Sequence, residues 1–101
     1  ISKVGSYTGS SYDVTINLGF TPRFLIVKAY NTSSGNQRWT VFDSLRGMGA
    51  GSNDKRVYLE STQTQQTGDY ITSVSATGIT MRTNFSYTNS NGNEYIYYAH
   101  A

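Results

Sequence analysis

Tyr12, Val14, Ile16 and Leu18 alternate with Asp13, Thr15 and Asn17, and no other pattern in the chain constrains its fold as strongly. Successive residues of an extended strand point to opposite sides, so this alternation predicts a strand with one dry face and one wet face. A helix would scatter the same residues around its circumference. Elsewhere β-branched and aromatic residues are dense, glycines recur at short intervals, and no window keeps a 3.6-residue apolar repeat, which leaves helix without support.

Arg23 to Tyr30 predicts a different kind of strand. Phe24, Leu25, Ile26 and Val27 form an unbroken apolar run, as expected of a strand covered on both faces or central in a sandwich. Pro22 suits the start of such a strand, where no ladder N–H is lost. Further strands are expected over Lys3 to Thr8, Gln37 to Asp43, Arg56 to Ser61, Tyr70 to Ser75, Ile79 to Phe85 and Glu94 to His100, about eight in all. Ala76-Thr77-Gly78 reads as a tight hairpin whose Gly takes a positive φ. Asn84 to Asn93 reads as a long polar hairpin end turning at Asn91-Gly92. The polar stretch Ser61 to Gly68 reads as an exposed loop. Short strands with turns between them point to an all-β fold, an antiparallel β-sandwich of jelly-roll or Greek-key type.

A chain of 101 residues suits one domain, 1–101, with a single core. It stands either alone or as a piece of a longer chain, and the missing initiator Met favours the piece. Charged residues make up 14% of the chain, well below the roughly 25% usual for soluble domains, so hydroxyls and amides carry its solubility. The eight Lys and Arg residues are scattered singly apart from Lys55-Arg56, unlike the clustered basic stripe of a nucleic-acid-binding surface. No apolar run approaches the roughly 18 residues of a membrane-spanning helix, so membrane insertion is not expected. With no cysteine, stability rests on packing without disulfide staples.

The chemistry-bearing residues are few. There is one His, at position 100, and six carboxylates: Asp13, Asp43, Asp54, Glu60, Asp69 and Glu94. No spacing among these carboxylates marks out the paired acids of a glycosidase, and His100 beside the chain's last residue reads as a terminal or interface His. Asn53-Asp54 could offer oxygens to calcium, but the repeated acidic spacing of a calcium loop is missing. The glycines at 47, 49 and 51 lack the Lys-Ser/Thr ending of a phosphate loop and read as a surface loop. No catalytic residue, metal site or cofactor is therefore assigned. Asp43 and Arg46, three apart in Phe42-Asp43-Ser44-Leu45-Arg46-Gly47, are expected to form a structural turn in which the carboxylate accepts backbone N–H groups and the guanidinium folds back on it.

Aromatic residues are the richest resource: nine Tyr, four Phe and one Trp. Phe20, Phe24, Phe42 and Phe85 are expected in the core. Tyr95, Tyr97 and Tyr98 fall on both faces of one strand, so at least one ring faces solvent, a ligand or a neighbouring subunit, and the three form a candidate subunit interface. Trp39 follows a polar stretch from Asn31 to Arg38. A Trp beside amides can stack on a sugar while the amides bond its hydroxyls, which makes Trp39, Asn36 and Gln37 a candidate glycan platform; Trp39 in the core, in register with Val41, is the other reading.

Three segments taken in order, Gly19-Phe20-Thr21-Pro22-Arg23-Phe24-Leu25-Ile26-Val27-Lys28, Phe42-Asp43-Ser44-Leu45-Arg46-Gly47 and Tyr95-Ile96-Tyr97-Tyr98-Ala99, resemble a β-rich module of tailed-phage virion proteins that recurs in tail fibres and related surface appendages. The resemblance spans Tyr7 to Ala99, and none of its motifs carries catalytic chemistry. It implies a non-enzymatic structural module at the particle surface, part of a tail fibre or tailspike, mediating assembly and host attachment. The implied partners are other virion proteins and further copies of the chain, commonly as a trimer. A carbohydrate-binding module that recognises a host surface glycan and a capsid decoration protein are the alternatives.

Overall fold

Nine strands form among the described residues, 1–32, 38–49, 51 and 54–101 of a computed structural model. They are β1 (Ser2–Thr8), β2 (Val14–Asn17), β3 (Phe24–Ala29), β4 (Thr40–Asp43), β5 (Asp54–Tyr58), β6 (Gln66–Gly68), β7 (Ile71–Ser75), β8 (Gly78–Met81) and β9 (Glu94–His100). A six-stranded sheet in the order β1-β9-β3-β4-β5-β6 packs on a three-stranded sheet in the order β2-β8-β7, and every paired neighbour is antiparallel. This is the expected all-β sandwich.

The core lies between the sheets. From the large sheet come Leu25, Val27, Ala29, Phe42, Tyr95, Tyr97 and Ala99; from the small one come Ile16, Ile71, Ile79 and Met81, all buried. Each large apolar side chain removed from water in this way contributes roughly 1.5–3 kcal/mol. Between the layers Tyr7 stacks on Tyr95 at 5.0 Å between ring centroids, and its hydroxyl donates to the Thr88 carbonyl at 2.6 Å.

The alternation that predicts β2 holds from Val14, with Ile16 and Leu18 turned inward, but Tyr12 precedes the strand and is 79% exposed. The β7–β8 hairpin turns through Ala76 and Thr77, yet Gly78 takes no positive φ. It is small for another reason: a Cβ there would lie 2.1 Å from the Ile16 carbonyl oxygen on β2. Gly92 does take the left-handed conformation, at φ 86.

Four further expectations are corrected. Asn84 to Asn93 closes no hairpin, because β8 and β9 belong to different sheets and the segment carries the chain between them. Part of the presumed loop from Ser61 to Gly68 is strand β6, paired with β5 through Lys55 opposite Thr67. The 47–49 stretch is tacked down, with Met48 buried and a Cβ on Gly49 blocked by Val74 at 2.6 Å. Of the four Phe residues, Phe20 and Phe42 are buried, whereas Phe24 and Phe85 are only half-buried.

Candidate functional site

Strand register writes one apolar row across five strands on the outer face of the large sheet. Val4 of β1 lies opposite Tyr98 of β9, Tyr98 opposite Ile26 of β3, Ile26 opposite Val41 of β4, and Val41 opposite Val57 of β5. Because side chains alternate along a strand, all five share the face turned away from the small sheet. The row is open at its β1–β9 end, where Val4 is 74% exposed and Tyr98 and its neighbour Ile96 by more than a third, half-buried at Ile26 and Val57, and buried at Val41. The unbroken apolar run in β3 thus has a cause other than cover on both faces. Leu25 and Val27 feed the core, while Phe24 and Ile26 furnish an open apolar surface.

Within this face Val4, Ile26, Trp39, Ile96 and Tyr98 line a shallow depression of about 230 Å³. Trp39 is held at its edge by its backbone, whose N–H donates to the Glu60 carboxylate at 3.1 Å and whose carbonyl accepts from Leu59 N–H at 3.1 Å. The Lys28 ammonium stands 6.0 Å from the Trp39 ring centroid, and Phe24 meets Tyr98 edge-on at 6.3 Å. Tyr98 and His100, two apart and on the same face, are joined by a hydrogen bond between the hydroxyl and Nδ1 at 3.1 Å. Asn36 and Gln37, proposed from the sequence as companions of Trp39, lie outside the described residues.

The three Tyr residues of β9 do not act together. Tyr95 is fully buried and Tyr97 is 5% exposed, so these two are core residues and not parts of an interface; the alternation of β9 sends Tyr98 alone of the three outward. The Tyr95 hydroxyl is tied to the loop above it, donating to the Ser86 carbonyl at 2.8 Å and accepting from Ser90 N–H at 2.9 Å. Burial raises the Tyr95 and Tyr97 phenols above the ordinary tyrosine range.

At the end of β4, Asp43 caps a single 3-10 turn, Ser44–Arg46. Its carboxylate accepts the Arg46 N–H at 2.9 Å and the Arg46 guanidinium at 2.8 and 2.7 Å, and Gly47 ends the turn at φ 90. Burial works to raise the Asp43 carboxyl, but the hydrogen bonds and charge of Arg46 outweigh it and hold it below the ordinary carboxylate range.

Asp54, which the sequence offers only as a weak calcium ligand, is fully buried. It accepts N–H groups from Gly49 at 2.7 Å, Tyr70 at 2.8 Å and Ile71 at 2.8 Å, so its oxygens are turned to the backbone. The remaining acids are also engaged: Asp13 with Thr72 and Thr83, Glu60 with Trp39, Asp69 with Arg82, and Glu94 with Tyr30 and Asn31.

Sequence reasoning misses a second aromatic cluster, at the β5 side of the sandwich. The Arg56 guanidinium lies 4.2 Å from the Tyr70 ring centroid, 4.5 Å from that of Phe85 and 5.6 Å from that of Tyr58, and its Nε donates to the Tyr58 hydroxyl. Tyr87 closes the cluster, edge-on to both Phe85 and Tyr58. These rings come from three separate segments, and only Arg56-Val57-Tyr58 and Phe85-Ser86-Tyr87 carry a local hint of it.

A family model described as a domain of unknown function, DUF7483, matches residues 1–101. No curated protein and no solved structure matches the chain.

Proposed function

The chain belongs to the DUF7483 family, and from that premise we propose that it is a non-enzymatic structural module of a tailed-phage virion surface, part of a tail fibre, tailspike or related appendage, which assembles with copies of itself through the outer face of its large sheet. The observation that carries this reading is the apolar row Val4, Tyr98, Ile26, Val41 and Val57, continued by Ile96 and Trp39 and open to solvent in a single chain at Val4, Tyr98 and Ile96. Contiguous apolar surface on a sheet face is characteristic of interaction sites, and Trp, Tyr and Ile suit the centre of one. Closed symmetry would let one such patch serve every subunit, as in the trimers expected from the resemblance.

Two further observations support it. All six carboxylates have structural partners, which disfavours a free acid pair for glycoside hydrolysis. The depression beside Trp39 is lined by apolar side chains, whereas a sugar needs polar groups for its hydroxyls; Trp39 at this place fits a protein partner better than a glycan.

The test is the mass of the particle in solution. Sedimentation of the purified chain should give a defined oligomer that dissociates on dilution, and Tyr98→Ala or Ile96→Lys should shift it to monomer with little change in Tm. A wild-type chain that stays monomeric up to about 1 mM, where association weaker than about 4 kcal/mol would go unseen, overturns the assembly reading.

A further inference from the structure

A second concavity lies at one end of the sandwich, where the segment between β1 and β2 meets the passage from β8 to β9. It encloses about 170 Å³, and every side chain lining it is a hydroxyl or an amide: Ser10 and Ser11 from the first segment, Thr83, Asn84, Ser90 and Asn91 from the second, with Asn89 at its base. A pocket built wholly from neutral donors and acceptors is a poor host for an anion, a metal or an apolar ligand. Its natural complement is a neutral molecule studded with hydroxyls. At this volume, below the roughly 300–1,000 Å³ of sites for drug-sized ligands, there is room for one small ring.

The walls are fixed before any ligand arrives. Asn89 is fully buried, accepts the Ser10 N–H at 2.8 Å, and donates to the carbonyls of Tyr12 at 2.9 Å and Met81 at 3.2 Å. The Thr83 hydroxyl donates to the Ser10 carbonyl at 3.3 Å, and the Thr83 N–H donates to Asp13 at 3.1 Å. Gly9 lets the two segments close on one another, since a Cβ there would lie 2.1 Å from the Ser90 carbonyl oxygen. Against this rigid frame, the side chains of Ser11, Asn84, Ser90 and Asn91 carry no hydrogen bond within the described protein. Asn84 sits at φ 69, the sole non-glycine residue with a positive φ among the described residues, and such backbone settings gather at functional sites.

The chain beside the lining also carries an exposed aromatic. Tyr12 follows Ser11 directly, its carbonyl is gripped by Asn89, and at 79% exposure it is the most exposed aromatic residue among those described. An exposed phenol next to a cluster of free hydroxyls and amides offers rigid apolar area beside polar partners, the pairing that a sugar ring, with its apolar C–H faces and equatorial hydroxyls, requires. No charged side chain lines the pocket, and Asp13, which bonds Thr83 of its wall, is engaged by Thr72 as well.

We infer that this pocket binds one neutral sugar residue of a polysaccharide, with Asn84, Asn91, Ser11 and Ser90 holding its hydroxyls and Tyr12 packing against its face. The site is separate from the outer sheet face and stands whether or not the chain assembles through that face. The experiment is an amide-resolved NMR titration of the chain with the methyl glycosides of glucose, galactose, mannose and N-acetylglucosamine, and with glucuronate as a charged control. Saturable shifts confined to residues 9–13 and 83–92 are expected for at least one neutral sugar, with the dissociation constant raised at least about tenfold, a change of about 1.4 kcal/mol, by Tyr12→Ala and by Asn84→Gly. The glycine keeps the left-handed backbone, so the second variant removes the amide without refolding the loop. Absence of such shifts at about 50 mM, well above the ~1 mM constant of a weak single-sugar site, overturns the inference. So does binding of glucuronate alone, or binding that both variants leave unchanged.

Discussion

The Asp54 carboxylate accepts the Ile71 N–H at 2.8 Å with both residues fully buried, and this bond ties the large sheet, at the start of β5, to the small sheet, at the start of β7. The same oxygen takes the Tyr70 N–H, and the other takes that of Gly49. One acid thus satisfies three backbone donors that would otherwise be stranded away from water.

Asp54→Asn should therefore be costly although it changes no shape. An amide can present one oxygen to these donors and must turn its NH₂ toward the rest, and each stranded buried N–H costs roughly 1–3 kcal/mol. Burial pushes the Asp54 carboxyl up, against the N–H bonds from Ile71 and Gly49. With its folded pKa above the unfolded one, this group's effect on stability is most favourable at low pH and declines as pH rises through the folded pKa. With the amide oxygen kept on Tyr70 and Ile71, the Gly49 N–H is the donor left facing NH₂, so urea unfolding of the variant at pH 7 should show a fall of about 1–3 kcal/mol, and a midpoint equal to that of the wild type would remove Asp54 from the account of the fold.

How far such features can be read from the chain depends on how local their causes are. The alternation through Val14 and Ile16, the β7–β8 hairpin and the left-handed Gly92 each follow from neighbouring residues, and the sequence displays them. β6 does not: Gln66-Thr67-Gly68 has no apolar residue and exists as strand because Lys55 stands opposite Thr67. Asp54 looks like a loop acid until residues 49, 70 and 71 converge on it. The outer row is hidden for the same reason, since Val4, Tyr98, Ile26, Val41 and Val57 line up only once the register of five strands is fixed. The hydroxyl and amide pocket is visible in composition as two polar loops, but not in the fact that they meet.

The Asp43–Arg46 turn gives a pH-dependent prediction. Asp43→Ala strands the Arg46 N–H and removes the ion pair, at a cost of about 1–3 kcal/mol at pH 7. Because the Asp43 carboxyl is held below its ordinary range, its contribution is fully present above the unfolded value of roughly 3.9 and is lost as pH falls through the folded value. Stability measured by urea titration from pH 7 down to about 2 should show the gap between wild type and variant closing at the acid end. A gap that stays constant with pH would mean that the carboxylate's charge contributes nothing.

Arg56 is held by geometry as well as charge. Its planar guanidinium lies over Tyr70 and Phe85 and bonds the Tyr58 hydroxyl, and an ammonium cannot reproduce both contacts. Arg56→Lys should lower stability by about 1–2 kcal/mol, with a matching change in the near-UV signal of the four surrounding rings. Retained Tm with an unaltered aromatic spectrum would show that any cation suffices there.

Gly5 lies opposite Tyr97 across the β1–β9 ladder, and a Cβ on it would stand 2.6 Å from the Tyr97 hydroxyl and 2.9 Å from the ring carbon that bears it. Tyr97 is 5% exposed and surrounded by core, so its ring has little space into which to retreat. An Ala at position 5 would gain roughly 0.5–1 kcal/mol of backbone entropy over Gly and lose about 1–3 kcal/mol to overpacking, and the second effect should win. The clash is sharpest at the hydroxyl, for which no hydrogen-bond partner is found among the described residues. Tyr97→Phe should thus be nearly neutral by itself and should recover part of the loss in the double variant, a coupling that a double-mutant cycle reads directly. Strict additivity of the two substitutions in thermal unfolding would show that the space under Gly5 is not reserved for the Tyr97 ring.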